Sequence, residues 1–158
     1  MIKLIVDTRE HAPHWWTFDG FPHERIHTKL DTGDYSISGY EDILTIERKK
    51  SVSELAGNIT EDRFWREIVR MQDIRHSFLF LEFGYEDIND YPANLKVSAK
   101  VKKGIRVKGP FILHELSRIQ VEFGIPVVFC GHKCYAEQAA ISVFKRTLEL
   151  YRHKGEGI

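Results

Sequence analysis

The chain has 158 residues, 42% of them hydrophobic and 12% aromatic, and its 23 basic and 23 acidic side chains cancel to zero net charge. That is enough apolar content for a packed core, which excludes a disordered chain. Two cysteines exclude a disulfide-framed scaffold, no apolar run reaches membrane-spanning length, and Met1 to Val6 is too short for a signal core, so a single intracellular domain over 1–158 is expected, in the cytoplasm or nucleoid, or in a eukaryotic nucleus.

In chain order, Ile2 to Val6 predicts a buried strand ending at Asp7, and strand ends of open α/β sheets carry functional sites. His11 to Pro22, with two prolines and Trp15-Trp16, predicts a loop or short helix. Arg25 to Leu30 alternates as a strand does and leads through the turn Asp31-Thr32-Gly33 to Asp34. Asp34 to Ser38 and Ile43 to Lys49 are short, β-branched and apolar runs separated by the turn-like Gly39-Tyr40-Glu41-Asp42, which predicts a hairpin. Side chains at i and i+2 of a strand share a face, so Glu47 and Lys49 point into one space and Arg48 into the opposite one, with Asp34 on the neighbouring strand closing the cluster.

Ser51 to Ile59 and Glu61 to Ile74 have helical spacing, and Ser51 with Glu54 predicts a capping box. His76 to Phe83 predicts another buried strand. Phe111 to Phe123 predicts a helix opened by Pro110 and closed by Gly124, followed by a strand over Ile125 to Cys130 and a last helix over Tyr135 to Tyr151. This order implies a mixed central β-sheet flanked by helices on both faces.

Asp34 and Glu47 are hard oxygen ligands suited to Mg2+ or Mn2+, and a neighbouring Lys49 can orient or deprotonate a water and offset developing charge on a phosphodiester. The pattern Gly33-Asp34-Tyr35, eleven residues, then Glu47-Arg48-Lys49 resembles the signature of XPF-type structure-specific endonucleases, a branch of the restriction-endonuclease-like PD-(D/E)XK nucleases. Ile5-Val6-Asp7-Thr8-Arg9-Glu10 resembles the acidic motif that opens that nuclease domain, Arg63-Phe64-Trp65-Arg66-Glu67 its amphipathic helix, and Phe78 to Phe83 its next central strand.

The resemblance implies a restriction-endonuclease-like core and a magnesium- or manganese-dependent DNA endonuclease. It adds Asp7 to Asp34 and Glu47 as a metal ligand, and places Glu10, Arg48 and Lys49 in the catalytic site. It also implies flaps, forks or junctions as substrates in repair, recombination or replication, and pairing of two copies through C-terminal helices. The sequence departs from the family in two places. Ser53 stands where an acid usually follows the Glu-Arg-Lys run, with Glu54 one step later, and the chain ends before a tandem helix-hairpin-helix module, so substrate choice is expected to rest on other elements or on a partner. A non-catalytic DNA-binding subunit of a nuclease pair is the competing class, opposed by the retained acidic and Glu-Arg-Lys residues.

For DNA contact, Lys96, Lys100, Lys102, Lys103, Arg106 and Lys108 fall within thirteen residues without an acid, and Gly104 and Gly109 suggest a flexible gripping loop. Arg63 is a candidate to hold a phosphate from its helix. Cys130, His132 and Cys134 lack the second ligand pair of a structural zinc site and read as a strand end and surface loop.

Overall fold

The computed structural model describes residues 1–156, with side chains through Arg152. Its strands are β1 (Ile2–Val6), β2 (His23–His27), β3 (Tyr35–Ile37), β4 (Leu44–Lys49), β5 (His76–Leu81) and β6 (Val127–Phe129). They form a single six-stranded sheet in the order β2-β1-β3-β4-β5-β6. The pairs β1–β2, β4–β5 and β5–β6 are parallel, and β3 alone runs against its neighbours β1 and β4. That single reversal positions the site. It brings the start of β3 to the ends of β1 and β4, so that Asp34, Asp7 and Glu47 to Lys49 meet at one edge of the sheet.

All of β4 is buried, because helices cover both faces. Strand alternation sends Leu44, Ile46 and Arg48 to one side and Thr45, Glu47 and Lys49 to the other, as the sequence predicts. On the first side, Ile46, Tyr35, Trp16, Phe18 and Phe80 pack against Ala140 and Phe144 of the last helix, α6 (Lys133–Glu156). On the second, Leu79 and Leu81 pack against α1 (Val52–Ile59), α2 (Asp62–Gln72) and α5 (Gly109–Phe123) through residues such as Leu55, Ile68 and Ile119. The periodic apolar faces of these helices are what the sheet covers.

Three elements differ from the sequence expectation. β2 occupies His23–His27 rather than Arg25 to Leu30, because the chain leaves the sheet after His27 and the Leu30 N–H turns inward to the Asp7 Oδ1 at 2.7 Å. The basic stretch is not a free loop. It contains α4 (Ala99–Gly104), capped by the Ser98 hydroxyl, which accepts from the Val101 N–H at 3.2 Å. Leu95, Ile105 and Val107 tie it to the core. With α3 (Tyr85–Asn89), it fills the connection between β5 and α5. Helices of five and six residues carry too little periodicity to be visible in a sequence. Among the described residues, no helix is long and apolar enough to cross a membrane.

Candidate active site

The edge where β1, β3 and β4 meet is shaped first by Gly33. Its φ of 84° lies in the left-handed region, and a Cβ there would sit 1.9 Å from the Thr45 Oγ1. The Thr45 hydroxyl donates to the Thr32 carbonyl at 2.7 Å, which clamps the turn onto β4. Asp34 follows with its N–H donated to the Ile46 carbonyl at 2.8 Å. Its Oδ2 accepts the backbone N–H of Arg48 at 2.8 Å. The carboxylate is therefore aimed along β4 toward Glu47 and Lys49.

Glu47 is buried, with Oε1 at 3.3 Å from the Lys49 Nζ and Oε2 without a hydrogen-bond partner among the described residues. Burial pushes its pKa up to about 7 and the nearby Glu67 adds to this, while Lys49 and Arg9 oppose it. Burial likewise holds the Asp34 carboxyl well above the ordinary range, helped by the negative charges of Glu47 and Glu10. Two buried carboxylates that resist ionising together, one with an orphan oxygen, form the setting that a hard dication relieves. Lys49 completes the group, 4.0 Å from the Glu54 Oε1 and 5.3 Å above the Phe64 ring. Only half of the expected capping box is present: the Ser51 hydroxyl accepts the Glu54 N–H at 3.1 Å, while the Glu54 carboxylate leans toward Lys49.

Arg48 points to the opposite face and becomes the hub of a buried ring. Its Nη1 reaches Glu10 Oε1 at 2.9 Å and its Nε reaches Glu82 Oε2 at 2.6 Å. The ring closes through Trp16, whose Nε1 donates to Glu82 Oε2 at 3.0 Å and whose backbone N–H donates to the Tyr35 hydroxyl at 2.8 Å. Tyr35 in turn donates to Glu10 Oε1 at 2.7 Å. Burial opposes the guanidinium charge, but Glu82 and Glu10 outweigh it and raise the Arg48 pKa. Arg48 and Glu10 thus reach the site through what they hold.

Asp7 sits beside Asp34, with its N–H donated to the Asp34 carbonyl at 2.9 Å. Its carboxylate is engaged elsewhere. Oδ1 takes the Leu30 N–H at 2.7 Å, and Oδ2 takes the Arg9 N–H at 3.0 Å and Nε at 2.6 Å. Burial would raise this carboxyl, yet those bonds hold it below its usual pKa. Among the described residues, no three His, Cys, Asp or Glu side chains come together as a metal-binding group. The expected trio therefore divides into the Asp34–Glu47 pair and an Asp7 that organises its own loop.

A cleft of about 250 Å³ opens beside Glu47 and Lys49, lined also by Arg9, Arg63, Glu67 and Arg70. Arg63 is at its mouth, exposed and 3.4 Å from Glu61. Glu67, not anticipated from the sequence, accepts the Gly33 N–H at 2.8 Å and pairs with Arg70, so α2 braces the Gly33 turn directly. Its signal was its place at i+4 from Arg63 on the same helix. Glu82 was also missed, although an acid closing an apolar strand is the same signal as Asp7. The basic segment leaves β5 at the edge that carries the site, since Lys49 is opposite Leu81 in the sheet. Lys96, Lys100, Lys103, Arg106 and Lys108 are exposed, and Lys102 is half-buried with Nζ on the Ala93 carbonyl at 2.8 Å.

The ERCC4 domain family matches residues 6–137, and the chain belongs to that family. Two solved structures of XPF from Aeropyrum pernix share its restriction-endonuclease-like fold. The one in complex with DNA has a TM-score of 0.68 at 17% identity, covering 94% of this chain and 66% of that one. The other has a TM-score of 0.66 at 15% identity, covering 94% and 68%. The chain thus spans about two thirds of the length of those structures. No curated protein matches it at a significant level.

Removing the Arg48 charge leaves the buried Glu10 and Glu82 with the neutral donors Tyr35 and Trp16 and without their cation, so Arg48→Met is expected to lower unfolding stability by about 3–5 kcal/mol in urea titrations. In metal-free protein, a carboxyl whose folded pKa exceeds its unfolded value keeps its proton longer in the folded state. Stability is then expected to fall as pH rises from the unfolded Glu value of 4.5 to about 7, and to level off above that. Glu47→Gln flattens this slope, which thermal melts across the pH range in EDTA would record.

Proposed function

We propose that the chain is a divalent-metal-dependent endonuclease that hydrolyses phosphodiester bonds in branched DNA. The observation that carries this reading is the buried Asp34–Glu47 pair, with its orphan Oε2, set against Lys49. Asp34 and Glu47 would hold Mg2+ or Mn2+, with Asp7 shaping the loop beside them. A bound dication would supply polarisation of the scissile phosphate and stabilisation of developing negative charge. Lys49 would orient and activate the attacking water for in-line attack, leaving a 5'-phosphate and a 3'-hydroxyl. Arg63 at the cleft mouth would grip a phosphate.

The side chains of Lys96, Lys100, Lys102, Lys103, Arg106 and Lys108 would hold the backbone of the DNA, a contact whose strength depends on salt through counterion release. Support for DNA as the substrate comes from family membership and from the fold shared with an XPF structure in complex with DNA. Pairing of two copies through α6 belongs to the same reading. That helix leaves an apolar groove of about 370 Å³ between Phe78, Ala139, Val143 and Leu150. The competing reading, a DNA-binding subunit without activity, is disfavoured by the intact Asp34, Glu47 and Lys49.

Incubation with labelled duplex, single-strand, flap and fork DNA in Mg2+ or Mn2+ is expected to give cutting by the wild type and a loss of at least about 100-fold in Glu47→Gln and Lys49→Ala. Mn2+ titration followed by calorimetry, read without DNA, should weaken in Glu47→Gln and Asp34→Asn. Binding without cutting on every substrate would instead support the inactive subunit. Triple replacement of Lys100, Lys102 and Lys103 by alanine is expected to weaken DNA binding about equally across sequences and to flatten its dependence on log salt by one to three phosphate contacts' worth, about 1–3 in slope. Sedimentation at high concentration should show a particle of twice the chain mass, and a monomer alone would remove the α6 pairing.

A further inference from the structure

The remaining concentration of unassigned chemistry lies on β2 and the loop that folds over it. Trp15 is half-buried, with the Arg25 guanidinium 4.6 Å from its ring centroid and the His27 imidazole edge-on at 5.3 Å. His11 stands against His27 at 6.1 Å, and His11, His14, His27 and Lys29 are all exposed. Arg25 donates Nη2 to the Trp16 carbonyl at 2.5 Å, while its buried Nη1 finds no acceptor among the described residues. Among the described residues the Arg25 guanidinium is bonded to this neutral carbonyl and to no carboxylate, so its charge is not cancelled by an ion pair and adds to the positive field beneath the indole.

The loop is ordered. The N–H groups of His14 and Trp15 both donate to the His11 carbonyl at 3.0 Å. It is also fastened to the catalytic edge. Arg48 Nη1 donates to the His14 carbonyl at 2.7 Å, and His27 Nε2 lies 3.1 Å from the Asp7 carbonyl. In the sheet, β2 is three strands from β4. At the usual strand spacing, this is about 14 Å, a reach of a few nucleotides of extended chain.

We propose that Trp15, Arg25, His11 and His27 form a binding site for a short single-stranded DNA segment beside the scissile position. This rests on the nuclease reading and specifies how branched DNA is told from duplex. A half-buried indole with a guanidinium over its ring and the exposed His11, His27 and Lys29 around it matches an unstacked base on its phosphate chain, because every base has a π-face to stack while bases inside a duplex present only their edges. Arg25 adds a cation to the aromatic platform. A protein ligand would need acids or an apolar face to match, and the cluster offers neither a continuous apolar surface nor a carboxylate paired with Arg25.

The test uses the full chain in EDTA, where nothing is cut, with fluorescein-labelled oligo-dT and a matching duplex followed by anisotropy. Trp15→Leu, which keeps bulk but removes the π-face, is expected to weaken oligo-dT binding about tenfold and leave duplex binding unchanged, while Trp15→Tyr stays within about threefold of wild type. The exposed pair His11→Ala and Lys29→Gln, which the fold does not need, should weaken oligo-dT by several-fold and so serves as the reading if Trp15→Leu melts early. Equal loss on duplex and oligo-dT, or no loss on oligo-dT in any variant, overturns the site. Absence of oligo-dT binding by the wild type also overturns it and leaves the patch to a protein partner. Flap cutting in Mg2+ is scored in parallel: cutting with Trp15-independent oligo-dT binding refutes the site alone, and Trp15-dependent binding without cutting refutes the nuclease reading alone.

Discussion

The buried Arg48 guanidinium, held between Glu10 and Glu82, is the interaction on which the rest of the site depends. It lies on β4 between Glu47 and Lys49 and faces the other way, so it fixes the strand from behind while Glu47 and Lys49 are presented in front. Its two acids come from the loop after β1 and from the end of β5, and Trp16 and Tyr35 close the ring. A buried charge tolerates loss of a partner poorly, which makes this network a strong determinant of one arrangement. The stacking of Trp16 on Tyr35, with centroids 4.4 Å apart, covers it from water.

The front of β4 is built in the opposite manner. Behind the strand every one of these charged groups is hydrogen-bonded, whereas in front, among the described residues, Glu47 keeps an oxygen without a partner and both carboxylates are pushed toward their protonated forms. Glu67 adds a third negative charge nearby and is itself fastened to the Gly33 N–H and to Arg70. The cost of gathering these like charges is met in folding, by the packing and hydrogen bonds that hold Asp34, Glu47 and Glu67 in place. The cationic side chains Arg9, Arg63 and Arg70 stand around the same cleft, so the buried acids face a cationic rim.

The zero net charge conceals this division. Acids cluster at the edge formed by β1, β3 and β4, while cations gather around the cleft and along the segment that leaves β5. The apolar anchors Leu95, Ile105 and Val107 give the latter a fixed place, so its charges form a surface with a shape. The connection between β5 and α5, α4 included, is therefore used for presenting charge, and the two sheet faces are used for burial.

The sequence by itself determined the strand pattern, the long helices and the face on which Glu47 and Lys49 lie, because these follow from local periodicity and from the two-residue repeat of a strand. It also determined the motif Gly33-Asp34, whose glycine is required by a backbone turn and by the approach of Thr45. The tertiary structure alone decided what each charged group meets. Asp7 and Asp34 look equivalent in sequence, yet one is saturated by the Arg9 and Leu30 donors and the other is left beside Glu47. Glu10 and Glu82 are 72 residues apart in the chain and are brought together at Arg48. Burial and pairing are properties of the packed neighbourhood, and no local pattern of residues encodes which donor arrives from a distant strand.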